Sequence, residues 1–192
     1  MNNLAQNAII NFRERITQSA KTITTDHTYI HQGYMYWAYV KPTIDPAGTY
    51  KLTFTTPSVA SGKEVHWRPS TVNPDADKVF LTMTEEPTAV TPGTAVQVRN
   101  RNRKLVATGH RTDAGLSVVT GGATLTESAV VVEAAYMGGG TGTGQARSST
   151  DTGEENEVFL NPATTYSITI TNGSSNTQDV FLKMLWYEED KV

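Results

Sequence analysis

The chain has 192 residues, carries a formal net charge of −3 and contains no cysteine. This length fits one large domain with its own core, and a mildly acidic chain lacks the overall positive field that attracts nucleic acid. The missing cysteines exclude disulfides and thiolate chemistry, and the sequence shows neither a signal-peptide pattern nor an apolar stretch of about 20 residues that would span a membrane.

Residues 1–21 carry the best helical pattern of the sequence. Their apolar side chains recur at helical spacing and form one stripe, which comprises Leu4, Ala8, Ile9, Phe12 and Ile16. A lone amphipathic helix has to bury such a stripe. Two interpretations stay open: the helix packs on its own domain, or it docks as an arm on a partner or a sister subunit.

From Thr22 onward apolar and polar residues alternate, and turn clusters such as DPAG, TPG and NGSSN interrupt them. This pattern predicts roughly nine or ten short strands. Many short strands at such spacing are typical of an antiparallel sandwich, so we predict an all-β, jelly-roll-like domain over residues 22–192. The segment Gly138–Asn156 is polar and glycine-rich and is predicted to be a long loop.

Two segments are apolar on both faces of a strand. Tyr34–Val40 is aromatic on both faces. In the last apolar segment one face carries Val180, Leu182, Met184 and Trp186, and the other carries Phe181, Leu185 and Tyr187. A strand of this kind is covered on both sides, so these segments predict central sandwich strands or strands buried in an oligomer.

Two patterns invite a cofactor or metal site, and neither fits. The glycine-rich loop has Gln145 where a phosphate-binding loop needs lysine. His27 and His31 lie in TITTDHTYIHQG, whose β-branched residues predict extended chain. Residues four apart on a strand are separated by about 13 Å, too far to ligate one metal ion. We expect no cofactor and no metal.

Acidic residues occur in three clusters, Glu85–Glu86, Glu154–Glu155–Glu157 and Glu188–Glu189–Asp190. Neighbouring side chains on a strand point to opposite faces, so no cluster is a ready-made catalytic pair. We predict solvated charges at turns and strand ends. Because nucleophile motifs are absent as well, the sequence predicts a protein that is not an enzyme.

The aromatic residues and one sequon each allow two interpretations. The candidates for a sugar-stacking platform are Trp37, Trp67, Trp186, Tyr34, Tyr36 and Tyr39. Aromatic residues of β proteins more often lie in the core or in a subunit interface. Asn172 opens the sequence NGS, formally a glycosylation site, which we interpret as a hairpin turn.

The segment Val96–Leu105 reads VQVRNRNRKL. Period 2 places Arg99, Arg101 and Arg103 on one face with Gln97, and Val98, Asn100, Asn102 and Lys104 on the other. Neither face is apolar, which predicts an edge strand or a strand end rather than a buried strand. A nucleic-acid arm is disfavoured by the net charge and the lack of interleaved aromatics. We expect the arginines to meet carboxylates of a neighbouring protein.

Several segments together resemble jelly-roll proteins of tailed-phage virions, the capsid decoration or cement proteins. They are HWRPSTVNPDADKVFLTMTEEPTAVTPGTAVQVRNRNRK, NEVFLNPATTYSITITNGSSNTQDVFLKMLWYEE and the aromatic YMYWAYV. The resemblance covers about Tyr34 to Glu189.

The resemblance implies a non-enzymatic structural protein on the capsid exterior, made in the host cytoplasm and oligomeric as a dimer or trimer. Its partner would be the major capsid protein, whose neighbouring subunits it would bridge, with no role for nucleic acid or membrane. The candidate contact residues are Leu4, Ile9, Phe12, Ile16, Arg99, Arg101 and Arg103. The alternative is a head- or tail-fibre domain that binds host surface glycans.

Overall fold

The computed structural model describes residues 25–74, 78–102, 104, 115–137 and 157–190. The predicted N-terminal helix with Leu4, Ile9, Phe12 and Ile16 lies outside these residues, as do Arg103 and the glycine-rich segment 138–156. Within the described part, two antiparallel sheets form a β-sandwich, which confirms the all-β prediction.

The described elements are one helix, a short 3-10 turn at Val59–Ser61 and fourteen strands. Helix α1 spans Thr25–Gln32. The strands are β1 (Met35–Val40), β2 (Thr43–Ile44), β3 (Thr49–Thr55), β4 (Lys63–Pro74), β5 (Val79–Glu85), β6 (Thr88–Thr91), β7 (Thr94–Ala95), β8 (Arg99–Asn100), β9 (Ser117–Gly121), β10 (Thr124–Thr126), β11 (Val131–Met137), β12 (Val158–Leu160), β13 (Thr165–Asn172) and β14 (Gln178–Asp190).

Strand order is simple in both large sheets. The first sheet has the order β12-β4-β14-β1-β8, and β2 pairs with the beginning of β14. The second sheet has the order β11-β5-β13-β3-β9-β7, and β6 pairs with β10 in a separate two-stranded sheet.

The main strands pair in nested order along the chain. Among the eight longer strands, β1 pairs with β14 and β3 with β13. Inside these pairs, β4 pairs with β12 and β5 with β11. Each strand of the N-terminal half thus pairs with a strand of the C-terminal half, in reverse order.

The core lies between the two sheets, where alternate residues of each strand point inward. Trp67 of β4 and Trp186 of β14 are register partners, both buried, with ring centroids 6.1 Å apart. Phe54 of β3 stacks on Trp67 from the opposite sheet at 4.8 Å. On β14 the four inward residues of the sequence prediction are fully buried. The position of β14 between β4 and β1 confirms that it is a central strand.

The segment predicted to be extended around His27 and His31 forms helix α1 instead. The helix ends at Gly33, whose φ of 78° lies in the left-handed region, and the Tyr34 N–H donates to the Tyr29 carbonyl at 2.9 Å, as in a Schellman cap. Local propensity was a poor guide because contacts with the sheet, described below, hold this short helix in place.

Neither a metal-ligating cluster nor a membrane-spanning helix occurs among the described residues. No group of three or more His, Asp or Glu side chains among them has the arrangement needed to hold a metal ion. No helix in the described part of the chain has the length and apolar character needed to span a membrane.

Asn172 is the last residue of β13 and opens the turn that leads to β14. The NGS segment is a turn, but the prediction of a hairpin was wrong, because β13 and β14 pair with other strands and lie in different sheets. Its side chain is buried, and Nδ2 donates to the carbonyls of Ile44 and Asn176 at 2.9 and 2.7 Å. Its Oδ1 accepts from the Ser174 N–H at 2.9 Å and from Gln178 Nε2 at 2.8 Å. A buried amide with both ends engaged is a structural group and not an exposed glycan acceptor.

Asn172→Ala is expected to lower the free energy of unfolding by about 2–3 kcal/mol, because several hydrogen bonds worth about 1 kcal/mol each are lost together. Urea denaturation measures this change. Asn172→Asp sets a buried charged oxygen against the carbonyls of Ile44 and Asn176 and should destabilise the protein at least as much as Asn172→Ala. Equal stability of all three proteins would contradict the role assigned to the turn.

Glu133 of β11 links the two sheets. Its Oε1 accepts from the Ser70 N–H at 2.9 Å, and its Oε2 accepts from Trp67 Nε1 at 3.2 Å and from Ser70 Oγ at 3.3 Å. Burial raises the pKa of the Glu133 carboxyl, and the three hydrogen bonds offset only part of that shift. Folding therefore shifts this carboxyl toward its protonated form relative to the unfolded chain.

Because its pKa is raised on folding, Glu133 contributes stability that is complete below its unfolded pKa of about 4.3 and is lost as the pH rises through the folded pKa. Glu133→Gln removes this titration. In urea denaturation between pH 4 and pH 8, the unfolding free energy of Glu133→Gln should improve relative to the wild type as the pH rises. A difference that stays constant with pH would contradict the assignment.

Candidate interaction surfaces

The outer face of β1 carries an aromatic row. Tyr36 and Ala38 point into the core, so Trp37 and Tyr39 point outward, and Tyr39 is 40% exposed. Their rings stack with centroids 5.6 Å apart, and Tyr39 lies 5.7 Å from Phe181 of the neighbouring strand β14. Three aromatic side chains from two central strands therefore form one continuous row on the outside of the first sheet.

Arg99 of the edge strand β8 lies against this row. It is the register partner of Trp37, and its guanidinium lies 5.5 Å from the Trp37 centroid and 5.7 Å from the Tyr39 centroid. The Gln97 amide oxygen accepts from Arg99 Nε and Nη2 at 3.2 and 2.7 Å. Cation–π contacts and the amide thus fix the side chain in place. We call Trp37, Tyr39, Phe181 and Arg99 the ring row.

The alternation of Arg and Asn after Val98 has two structural roles. Asn100 Nδ2 donates to the Gly33 carbonyl at 2.7 Å, and Asn102 Nδ2 donates to the His31 carbonyl at 2.8 Å. These two asparagines satisfy carbonyls at the end of α1 that have no partner within the helix. On the other face, the Arg101 N–H donates to the Met35 carbonyl at 2.9 Å.

The prediction of an edge strand is confirmed, since β8 ends the first sheet. Within this edge strand Asn100 is nevertheless buried, at 2% exposed. Burial of this polar residue is tolerated because its amide is hydrogen-bonded. Aromatic neighbours of the arginine do exist, but β1 supplies them, so the local sequence could not reveal them.

A second apolar surface lies on the outside of the other sheet. Phe80 of β5 and Tyr136 of β11 are register partners with ring centroids 5.0 Å apart. Phe80 and Tyr136 are 45% and 54% exposed. Inward-pointing Val79 and Leu81 flank Phe80, so its ring faces away from the core. We call Phe80 and Tyr136 the Phe80 patch.

A buried cluster around Tyr187 holds α1 on the first sheet. Tyr29 of α1 stacks on Tyr187 of β14 at 4.1 Å, and His66 of β4 stacks on the same ring at 4.3 Å. The Tyr187 hydroxyl donates to Glu157, which also lies 2.6 Å from His66 Nδ1. Burial, followed by the hydrogen bond and charge of Glu189, raises the pKa of Tyr29 to about 12.

We interpret this Tyr187 cluster (Tyr29, His66, Glu157 and Tyr187) as an anchor. A histidine beside a carboxylate and a phenol resembles an acid–base arrangement, but His66 is buried and packed against two aromatic rings. Burial also raises the pKa of Tyr187, with the hydrogen bond to Glu157 as the next cause. A phenol with a raised pKa stays protonated and keeps donating to the carboxylate.

The prediction that the carboxylates are solvated was wrong for Glu157, whose side chain is 14% exposed and lies in the Tyr187 cluster, and for Glu188. Glu188 is 1% exposed, and the adjacent Glu189 points to the other side of β14, as the alternation predicted. Glu188 accepts from the N–H groups of Gly115 and Leu116 at 2.6 and 3.0 Å and lies 3.3 Å from Lys63 Nζ. This carboxylate fixes the chain at residues 115–116 against the sandwich.

Five of the six aromatic residues named for a sugar platform separate into two groups, and the sixth, Tyr34, is half-buried just before β1. Tyr36, Trp67 and Trp186 are buried in the core, whereas Trp37 and Tyr39 belong to the ring row. Of the predicted contact arginines, Arg99 joins these rings and Arg101 lies beside Met35. Comparisons with protein-family models, curated proteins and solved structures give no match to this chain.

Tyr29→Ala is expected to release α1 from the sheet. Loss of the stacked pair and its buried area should lower the free energy of unfolding by about 1–2 kcal/mol. Hydrogen–deuterium exchange should speed up in Thr25–Gln32 and leave the amides of β13 unchanged. Gln32→Ala, an exposed position on the same helix, is the control and should exchange like the wild type. Unchanged exchange of α1 in Tyr29→Ala would contradict the anchor.

Proposed function

We propose that the chain is a non-enzymatic structural protein of a phage virion. On this proposal it sits on the capsid exterior as a dimer or trimer and stabilises the particle by bridging subunits of the major capsid protein. The predicted helix over residues 1–21 and its stripe with Leu4, Ile9, Phe12 and Ile16 would add a further contact arm. The resemblance of the segments between Tyr34 and Glu189 supports this assignment.

The observation that carries the proposal is the presence of two aromatic surfaces on opposite sides of the sandwich. The ring row lies outside the first sheet and the Phe80 patch outside the second. Trp, Tyr and Arg are the residues that most often dominate protein–protein binding energy, and the ring row contains all three. A protein that bridges neighbours needs two contact surfaces, and this sandwich offers two.

We further propose that the sandwich is a jelly roll. A jelly roll contains eight strands in two sheets, arranged as two Greek keys. Rolling one long antiparallel hairpin of eight strands produces nested pairing, with the first strand beside the last and the fourth beside the fifth. The order observed for β1 to β14 follows this rule, which supports the finer fold assignment.

Protein contact fits the ring row better than the alternative of glycan binding. Sugar rings bind to open aromatic faces, but Arg99 already lies over Trp37 and Tyr39. The rings also stack on one another, which covers further faces. A guanidinium fixed on aromatic rings is a preorganised group for carboxylates or for the backbone of another protein.

Trp37→Ala and Phe80→Ala are each expected to weaken binding of the chain to virions that lack it by about thirtyfold, the effect of losing one interface hot spot. Val59→Ala removes an exposed apolar side chain that belongs to neither surface and should bind like the wild type. Co-sedimentation of purified chain with particles measures the affinity.

Mass spectrometry of purified virions tests the assignment itself. The chain should be present at a fixed copy number, and electron cryo-microscopy should place it on the outer capsid surface. Absence from purified virions would overturn the proposed function. Loss of binding in only one of the two variants would leave a single docking surface and contradict bridging.

A further inference from the structure

Strand β1 has an open edge beyond β8. The C=O of Tyr34 and that of Pro42 accept from β14 residues at 3.0 and 2.9 Å, so even-numbered residues of this stretch bond toward β14. The backbone groups of odd-numbered residues point to the other side, toward β8. There the Arg101 N–H donates to the Met35 carbonyl, and Arg99 is the register partner of Trp37. The next odd-numbered residue is Tyr39.

Tyr39 has no partner strand on this side within the described part of the chain. Pairing between β1 and β8 covers Tyr36 and Trp37 only, because the segment before Arg99 turns away toward β7, in the other sheet. Alternation directs the N–H and C=O of Tyr39 into the gap that this divergence leaves. An unpaired strand edge is a template for another extended chain.

A groove of about 370 Å³ lies at this edge. Its described lining includes Tyr39, Lys41, Tyr50, Gln97 and Arg99, and it contains two cationic residues and neither Asp nor Glu. Lys41 already pairs with Asp179 at 3.0 Å. Arg99 is bound by the neutral amide of Gln97, and no described carboxylate lies within ion-pair distance of it. The charge of Arg99 is therefore available for an acidic group.

We propose that this edge accepts an extended, acidic segment of a protein partner, which adds a short strand beside Tyr39 and places a carboxylate on Arg99. Backbone hydrogen bonds to Tyr39 would set the register of the segment, and alternate side chains would point into the groove. This proposal deepens the proposed function, because it names the chemistry of the partner segment. Only the identity of the partner as a capsid protein rests on that function; binding of an acidic strand does not.

The test uses the full chain and three capped synthetic peptides. The first alternates Thr and Glu over eight residues, the second has Lys in place of Glu, and the third keeps Glu but has Pro in place of Thr. The first peptide should shift the amide resonance of Tyr39 in NMR spectra and slow its hydrogen exchange at least fivefold. The Lys and Pro peptides should do neither, because one lacks the carboxylates and the other cannot pair as a strand.

Arg99→Gln should weaken binding of the Thr-Glu peptide by about tenfold, as expected for the loss of one charge-assisted hydrogen-bonded contact. Arg99→Lys, which keeps the charge without the planar fork, should bind between Arg99→Gln and the wild type. The matched control is Lys78→Gln, an exposed cation before β5 and outside the groove lining, and it should bind like the wild type.

Three results would overturn the inference. They are unchanged exchange of Tyr39 with the Thr-Glu peptide, equal binding of the Pro or Lys peptide, and protection of Tyr39 that grows with protein concentration in the absence of peptide. The last result would assign the edge to a second copy of the chain. Absence of the chain from virions overturns the proposed function and leaves the peptide result standing, so the two failures are distinguishable.

Discussion

Strand β14 lies between β4 and β1, and the whole first sheet is arranged around it. Its inward residues Val180, Leu182, Met184 and Trp186 are fully buried, and each such side chain contributes about 1.5–3 kcal/mol through burial. Its outward residues take part in the ring row and in the Tyr187 cluster. The core, the anchor of α1 and the candidate docking face therefore share one strand.

This dependence has a consequence for folding. The strand on which the sheet is centred is contributed by residues 178–190, whereas its neighbours begin at residues 35 and 63. Most stabilising contacts join parts of the chain that are far apart in sequence, so loop-closure entropy has to be overcome before they form. Nested pairing of this kind favours slow, cooperative folding over stepwise assembly from local units.

Alternation of apolar and polar residues predicted the strands and their positions in the sheets, but not the contacts between side chains that are distant in sequence. Alternation identified the strands, the central position of β14 and the edge position of β8, because a buried face leaves a direct trace in the residue pattern. It could not pair His66 with Glu157 and Tyr187, which lie far apart along the chain and meet only through the strand order. The prediction that Glu188 is solvated was wrong for the same reason, because its partners Gly115, Leu116 and Lys63 are distant in sequence.

Helix α1 shows the limit of local propensity most directly. Its β-branched and histidine-rich sequence favours extended chain, yet Tyr29 stacks on β14 and two asparagines cap the final carbonyls. The candidate surfaces were recoverable only in part. The residues of the ring row were named from the sequence in separate segments, but their assembly depends on the register between β1, β8 and β14.

The alternating Arg and Asn residues after Val98 connect the ring row with the end of α1, because adjacent residues contact the two regions. Arg99 lies on the ring row while Asn100 holds the end of α1, so any partner that shifts the backbone here changes both contacts at once. Linkage of this kind is reciprocal: a partner that binds better when the helix is capped also tightens the helix by the same free energy. Docking on the sheet and the stability of α1 would then be coupled through this one segment.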